Sequence, residues 1–260
     1  MKFGLPTLIE LPSAEAHAAL AEELGLHFVE LNMSFPLYTL EGLRRANLPA
    51  LTEKYGVTFT LHLDEEMNIT HYNPLVRAAY FETVKETIRL AKVVGIRVLN
   101  MHLGHGVWCT LPENKVYLNE VYRKDYHAAL LAFQKMCEEE IGDSDIKICI
   151  ENTNGYLPHE WEAIDLLLAS PCFALTLDAG HAFQHPSDLG EVVARKASLR
   201  HMHLHDATQC TDHMPLGTGE VDIPERVALA KDQEATILIE VKTITALKES
   251  VKHLRLIGLL

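Results

Sequence analysis

The sequence is short of several things, and each shortage removes a class of protein. No run of 18 apolar residues occurs, so no segment reads as a membrane span. The five cysteines, Cys109, Cys137, Cys149, Cys172 and Cys210, are odd in number, scattered and never in Cys-x-x-Cys spacing. That leaves no disulfide framework or zinc ribbon and suits reduced thiols in a cytoplasmic setting. Basic residues are scarce, with 23 Lys and Arg against 36 Asp and Glu, a formal charge of -13. Such a balance argues against broad binding to nucleic acid or to an anionic membrane. No Gly-rich phosphate loop follows the first strand, where Leu8-Ile9-Glu10-Leu11-Pro12 stands instead. This speaks against a doubly wound dinucleotide fold, and no organic cofactor is expected. No Pro-, Gly- or Ser-rich linker divides the chain. The opening Met1 to Ile9 carries one Lys, is interrupted by Pro6, and reads as a strand and not as a signal peptide.

What remains is a chain of 260 residues with 48% hydrophobic content, enough to bury a large core. Its apolar period switches repeatedly between two and 3.6. Strands are expected at Phe3 to Leu8, Phe28 to Leu31, Thr58 to Leu63, Val98 to Met101, Ile146 to Ile150, Phe173 to Leu177, Leu199 to His203 and Thr236 to Val241. Helices are expected at Ser13 to Leu24, Glu41 to Tyr55, Pro74 to Val94, Arg123 to Ile141, Glu160 to Ala169, Asp188 to Ala197, Pro224 to Ala230 and Ile244 to Leu256. Gly25, Gly56 and Gly95 stand just past helix ends, where a left-handed cap is wanted. Strictly alternating strands and helices predict an α/β fold, one (β/α)8 TIM barrel over residues 1-260.

Strand parity then says which residues point into the barrel, because successive side chains alternate faces. Val29 and Leu31 oppose Glu30 and Asn32; Phe59 and Leu61 oppose Thr58, Thr60 and His62; Leu99 and Met101 oppose Asn100 and His102. Ile148 and Ile150 oppose Cys149 and Glu151, Leu175 and Leu177 oppose Thr176 and Asp178, and Ile237, Ile239 and Val241 oppose Leu238, Glu240 and Lys242. In the stretch from Leu199 to Asp222, His201, His203 and His205 share one face and Met202 and Leu204 the other. The polar set ends at the C-terminal mouth of the strands in His62, His102, Glu151, Asp178, His203 and Glu240. Burying such groups without compensation would cost several kcal/mol per charge, roughly, so they need a partner. A core network of carboxylates and imidazoles would supply one, and a metal another. Glu151, Asp178, His203 and Glu240 offer three carboxylates and one imidazole, which suits one divalent ion such as Mn2+, Mg2+, Co2+ or Zn2+. His62, His102, His181 and His213 would extend the site, and a nitrogen-rich extension favours Zn2+.

These residues carry a family resemblance. Leu177-Asp178-Ala179-Gly180-His181, Ile150-Glu151-Asn152-Thr153, His203-Leu204-His205-Asp206, His213-Met214-Pro215-Leu216-Gly217-Thr218-Gly219 and Ile239-Glu240 together resemble the xylose-isomerase-like barrel superfamily. That superfamily includes sugar and sugar-phosphate isomerases and epimerases and also the endonuclease IV enzymes. In the first branch the matching residues hold one divalent metal, the two glutamates move a substrate proton through an enediolate, and the residue at His181 contacts substrate oxygen. The resemblance thus implies catalysis by Glu151 and Glu240 and a small carbohydrate-like substrate; His205, one step beyond the four-ligand set, and Asp206 are expected to support the metal ligands from behind. The ketose epimerases carry a substrate-binding Arg shortly after the histidine matching His203, where this chain has Ala207-Thr208-Gln209. The endonuclease branch binds three zinc ions and is the alternative reading; its Asp-x-His is replaced here by Thr211-Asp212-His213. A non-catalytic ligand-binding barrel is a second alternative, and assembly into a homo-oligomer is left open.

Three further residues are candidates for substrate contact. Lys242 stands two residues past Glu240 on the same parity, suited either to a substrate anion or hydroxyl or to a salt bridge. Glu30 is similarly placed on its own strand. Trp108 lies in the longest loop after a strand, His105 to Tyr122, where an aromatic can cover the mouth.

Overall fold

Alternating Val, Leu, Ile and Phe residues form the strands because one face of each is buried under helices. A computed structural model describes residues 1–260. Its strands are β1 (Phe3–Leu5), β2 (Phe28–Asn32), β3 (Thr58–His62), β4 (Val98–His102), β5 (Trp108–Thr110), β6 (Lys115–Tyr117), β7 (Lys147–Glu151), β8 (Phe173–Asp178), β9 (Leu199–Leu204) and β10 (Thr236–Ile239). Eight of them close into a barrel in the order β1-β10-β9-β8-β7-β4-β3-β2, with every neighbouring pair parallel. The fold is the expected (β/α)8 barrel. The outward set, including Val29, Leu31, Leu61, Leu99, Ile148, Leu177, Met202 and Ile237, joins one continuous cluster of 65 buried apolar residues. A single cluster of that size leaves no second core. No helix is long and apolar enough to cross a membrane.

Inside the barrel the filling is unusual. Branched aliphatics normally dominate there, but Phe28, Cys149, Ala174 and Leu238 share the space with buried Glu30, Thr60, Asn100, Thr176 and His201. Between β8 and β9 the pairing passes from Leu175↔Leu199 to Thr176↔His201. Arg200 is the extra residue; it points outward, exposed, and restores the parity that turns His201 and His203 inward.

Several boundaries differ from expectation for local reasons. The helix expected over Glu41 to Tyr55 is two, Leu40–Arg45 and Leu48–Tyr55, because Asn47 adopts φ 47° and Pro49 can open a helix but not continue one. The helix expected from Asp188 is Pro186–Ala194, and a short one, Ala179–Gln184, precedes it with Asp178 as its N-cap. The expected strand Phe3 to Leu8 stops at Leu5. The long loop after β4 holds the antiparallel hairpin β5–β6, with Trp108 paired to Tyr117. Gly25, Gly56 and Gly95 close their helices in the left-handed region, as expected.

Candidate metal centre

Parallel register sets the first contacts. His102 lies beside Glu151 across β4 and β7, and Asp178 beside His203 across β8 and β9. One ligand atom each from Glu151, Asp178, His203 and Glu240 lies within 4.8 Å of the others. His203 Nδ1 is 3.2 Å from Glu151 Oε1 and 3.1 Å from Glu240 Oε2. Neither His203 Nδ1 nor Glu240 Oε2 has a hydrogen bond of proper geometry, although both are buried. Oxygen and nitrogen ligands about 2.0–2.3 Å from one ion are themselves roughly 3–4.5 Å apart, so these four residues fit a divalent cation. Three carboxylates and one imidazole also carry the charge such an ion balances.

Electrostatics reinforces the fit. Burial alone would lower the His203 pKa, but the carboxylates of Glu151, Glu30 and Glu240 outweigh it and hold it well above the usual value. Burial alone would raise Glu151, and the His203 and His102 imidazoles hold it well below the carboxylate range. Glu240 behaves likewise, with burial opposed by His203, His213 and Lys242. The cluster therefore keeps a positive charge among its carboxylates, a place a metal ion would take over.

Flanking groups extend the centre on both sides. His62 and His102 point Nε2 at Glu151 Oε2, at 3.4 and 3.5 Å. His62 Nδ1–H donates to the Leu63 carbonyl at 2.7 Å, which leaves Nε2 as the ligand nitrogen. On the other side Asp178, His181, His205 and His213 form a second group. Asp212, which sequence spacing set out of register, is 3.0 Å from His213 Nδ1 and 3.6 Å from His181 Nε2. His213 has φ 50°, a left-handed turn that brings both adjacent side chains toward His181.

The supporting contacts explain much of the motif chemistry. The Asn152 side chain accepts the Asp178 N–H at 2.8 Å and donates to the Asp178 carbonyl at 3.0 Å, fixing that strand end. Asp178 Oδ1 accepts the His181 N–H at 2.7 Å. His205 Nδ1 accepts the His213 N–H at 2.8 Å, so the ring carries its proton on Nε2, 3.0 Å from Asp178 Oδ1. A Cβ on Gly180 would lie 2.0 Å from the His205 ring, which is why glycine stands there. Asp206 holds the loop that carries Asp212 and His213: its carboxylate accepts the N–H groups of Ala207, Gly217 and Val221 at 2.9–3.0 Å.

Other candidates are placed differently. Glu30, expected at the substrate, is 2% exposed, with its carboxylate against His201 and His203. His201 bonds Thr236 Oγ1 at 2.6 Å in the barrel interior. Lys242 is largely exposed, with Nζ 2.8 Å from Glu240 Oε1. Trp108 is exposed on its hairpin, its ring against Tyr117 and Lys115. Three contributors were not singled out in advance. Asn100 donates to Glu151 Oε2 and accepts Thr176 Oγ1–H at 2.5 Å, and Tyr156 donates to the Glu151 carbonyl at 2.6 Å. Inward parity marked Asn100 and Thr176; nothing local marked Tyr156.

A family model described as a xylose isomerase-like TIM barrel matches residues 18–257. An uncharacterized protein of Methanocaldococcus jannaschii is 28% identical over 163 residues, 60% of this chain and 56% of its own length. The match thus spans little more than half of that curated relative. Among solved structures, a D-tagatose 3-epimerase-like protein superposes with TM-score 0.76 at 22% identity, over 100% of this chain and 98% of the other. A 3-keto-D-glucoside 4-epimerase from E. coli gives 0.76 at 13% identity, over 99% of both chains. An IOLI protein with a bound zinc atom gives 0.73 at 14% identity, over 99% and 96%. Likeness at these identities establishes a shared barrel.

Proposed function

The chain belongs to the xylose isomerase-like TIM barrel family, and from that premise we propose that it is a divalent-metal-dependent isomerase or epimerase acting on a sugar, sugar phosphate or related hydroxy-carbonyl compound. The observation that carries this reading is the set of buried Glu151, Asp178 and His203 with partly buried Glu240, converging at the C-terminal mouth with ligand atoms within 4.8 Å. Epimerases among the proteins of similar fold support the reaction class, and the zinc-bound relative supports a metal. When bound, a divalent cation supplies Lewis-acid polarisation of neighbouring carbonyl and hydroxyl oxygens.

Glu151 and Glu240 are the proposed acid/base pair. Their carboxylates stand at the mouth on either side of His203 Nδ1, at 3.2 and 3.1 Å, so each is placed to take or return a carbon-bound proton. His203 and Asp178 complete the binding set without exchanging protons with substrate. His181, partly exposed beside Asp178, is the proposed contact for a substrate oxygen. Lys242 neutralises one oxygen of Glu240 and offers its exposed ammonium to a substrate hydroxyl or anion. The test needs no knowledge of the product. Candidate sugars and keto-acids incubated with enzyme in heavy water should take up deuterium during turnover, and Glu151→Gln or Glu240→Gln should slow that exchange by roughly 10²-fold or more. A glutamate variant that exchanges at the parental rate removes that residue from the role; turnover without any exchange points to hydride shift.

A zinc-dependent abasic-site endonuclease is the second reading. It is favoured by His62 and His102 at Glu151 and by Asp212 reaching both His181 and His213; the net charge of -13 weighs against a DNA-facing surface. Elemental analysis separates the two. One ion per chain supports the isomerase, and three zinc ions with cleavage of abasic DNA support the endonuclease.

A further inference from the structure

Glu30 is a carboxylate in a place where packing gives no reason for one. It is 2% exposed on β2 inside the barrel, and none of its close contacts is a Lys or Arg. An aliphatic residue would fill that volume without the several kcal/mol, roughly, that desolvating a carboxylate costs. Its surroundings are specific. Oε2 accepts the Thr60 hydroxyl at 2.9 Å and lies 3.1 Å from His201 Nε2. Oε1 lies 2.9 Å from His203 Nε2, within bonding distance though off the line of a straight N–H bond. Thr60 and His201 together fix one oxygen, and the carboxylate cannot turn without losing both. The other oxygen is then aimed at the back of His203, whose front nitrogen faces Glu151 and Glu240.

A neutral imidazole has one proton and two nitrogens, and its neighbours decide which nitrogen keeps the proton. Only one arrangement leaves Nδ1 with a lone pair for a cation: the proton on Nε2, facing an acceptor. Glu30 is that acceptor. We infer that Glu30 is a positioning residue for the metal centre, holding His203 through an Nε2–H contact so that Nδ1 is presented to a divalent cation bound by Glu151, Asp178 and Glu240. The inference rests on the metal-dependent reading above. It adds that the strength of the centre is set from the barrel interior as well as from the mouth. A carboxylate behind a ligand histidine also makes the ligand nitrogen more basic, and removing such a partner typically weakens metal binding 10- to 100-fold, roughly.

The test uses the full chain and zinc or cadmium as the probe. Competition with a chromophoric chelator should show Glu30→Gln binding zinc about 10- to 100-fold more weakly than the parent, measured where circular dichroism shows the metal-free variant folded, since removing one partner of the buried contacts to His201 and His203 also costs stability. Long-range proton–nitrogen NMR of the cadmium-loaded, histidine-labelled parent should show metal coupling on His203 Nδ1 and a retained proton on Nε2. Coupling on Nε2, or zinc affinity in Glu30→Gln within about two-fold of the parent, overturns the inference. Should the variant fail to fold, the parent's NMR decides alone. A parent that takes up neither metal overturns the metal-dependent reading itself, and is told apart because it fails before any variant is compared.

Discussion

Asp206 offers the sharpest test of how the loop around Asp212 and His213 is held. Its carboxylate is 1% exposed and accepts three main-chain N–H groups, from Ala207 at 3.0 Å, Gly217 at 2.9 Å and Val221 at 3.0 Å. Its own backbone is paired both ways with Met214. Asp206→Asn keeps the shape and replaces one oxygen with an amine. Hydrogen bonds to a charged group are worth about 1.5–3 kcal/mol and neutral ones about 0.5–1.5. The two bonds to Oδ1 therefore lose about 2 kcal/mol between them. At Gly217 the new amine faces another donor, losing the bond and leaving an unsatisfied N–H, about 1–3 kcal/mol more. The sum, about 3–5 kcal/mol, falls on opening of the segment between Asp206 and Val221, because every broken contact lies within it. Native-state hydrogen exchange should accordingly show the Gly217 and Val221 amides exchanging ~10²- to 10⁴-fold faster, with amides of β3 and β4 unchanged. The His213 N–H that His205 Nδ1 accepts would loosen with the loop, and metal retention should fall with it. Exchange at Gly217 and Val221 within about three-fold of the parent would show that the carboxylate does not hold the loop.

Other expectations follow from single contacts. Gly180→Ala should displace the His205 ring from Asp178 and lower stability by about 1–3 kcal/mol, because its Cβ would sit 2.0 Å from that ring; a melting temperature equal to the parent's counts against it. Metal affinity should weaken as pH falls, about ten-fold per pH unit while one proton is displaced per ion, since His203 is held above and Glu151 and Glu240 below their ordinary values; chelator competition across a pH series checks this, and a flat profile refutes it. Unfolding of the metal-free protein carries the matching signs. His203 contributes stability below its unfolded value that is lost as pH rises through its raised folded value; the glutamates contribute above theirs, lost as pH falls through the depressed ones. A thiol reagent should titrate Cys109 and Cys210 in the native protein and all five cysteines after denaturation, as burial drives the Cys137 thiol up and pushes Cys149 to about 12.

Strand parity made much of the centre legible in the sequence, for a physical reason. Within a parallel barrel every strand presents alternate residues inward, so a polar residue at the last inward position of a strand has nowhere to go except the mouth. His62, His102, Glu151, Asp178, His203 and Glu240 obey that rule and meet. Glu30 shares the inward parity, yet its depth was not legible. It lies two residues before the end of β2, one layer below the mouth; Thr60 is its register partner on the next strand, but His201 comes from a strand distant in the chain. Parity gives the face of a residue; height along the barrel axis depends on strand stagger, which only the closed sheet fixes. Tyr156 shows a second gap. It comes from a loop, where no period applies, and its hydroxyl reaches back to the Glu151 carbonyl while accepting the Leu103 N–H at 3.2 Å.

Asp212 and His213 mark where sequence spacing misleads. On extended chain two adjacent residues face opposite ways, so Asp-His cannot replace Asp-x-His, in which both side chains share a face. That argument holds only while the backbone stays extended. His213 sits at φ 50°, a region non-glycine residues seldom adopt. Its N–H is held by His205 Nδ1, and the segment before it runs between anchors at Asp206 and Met214. The turn cancels the missing residue and brings Asp212 to both His181 and His213. The two readings of the centre then separate at this residue. Asp212→Asn should leave a one-metal isomerase with its ion count and its hydrogen exchange intact, apart from a modest change in KM through His181. In a three-zinc endonuclease the same substitution removes a carboxylate ligand and should cost one ion per chain. Counting zinc in parent and Asp212→Asn side by side therefore discriminates before any substrate is known, and loss of an ion in the variant would overturn the single-metal isomerase.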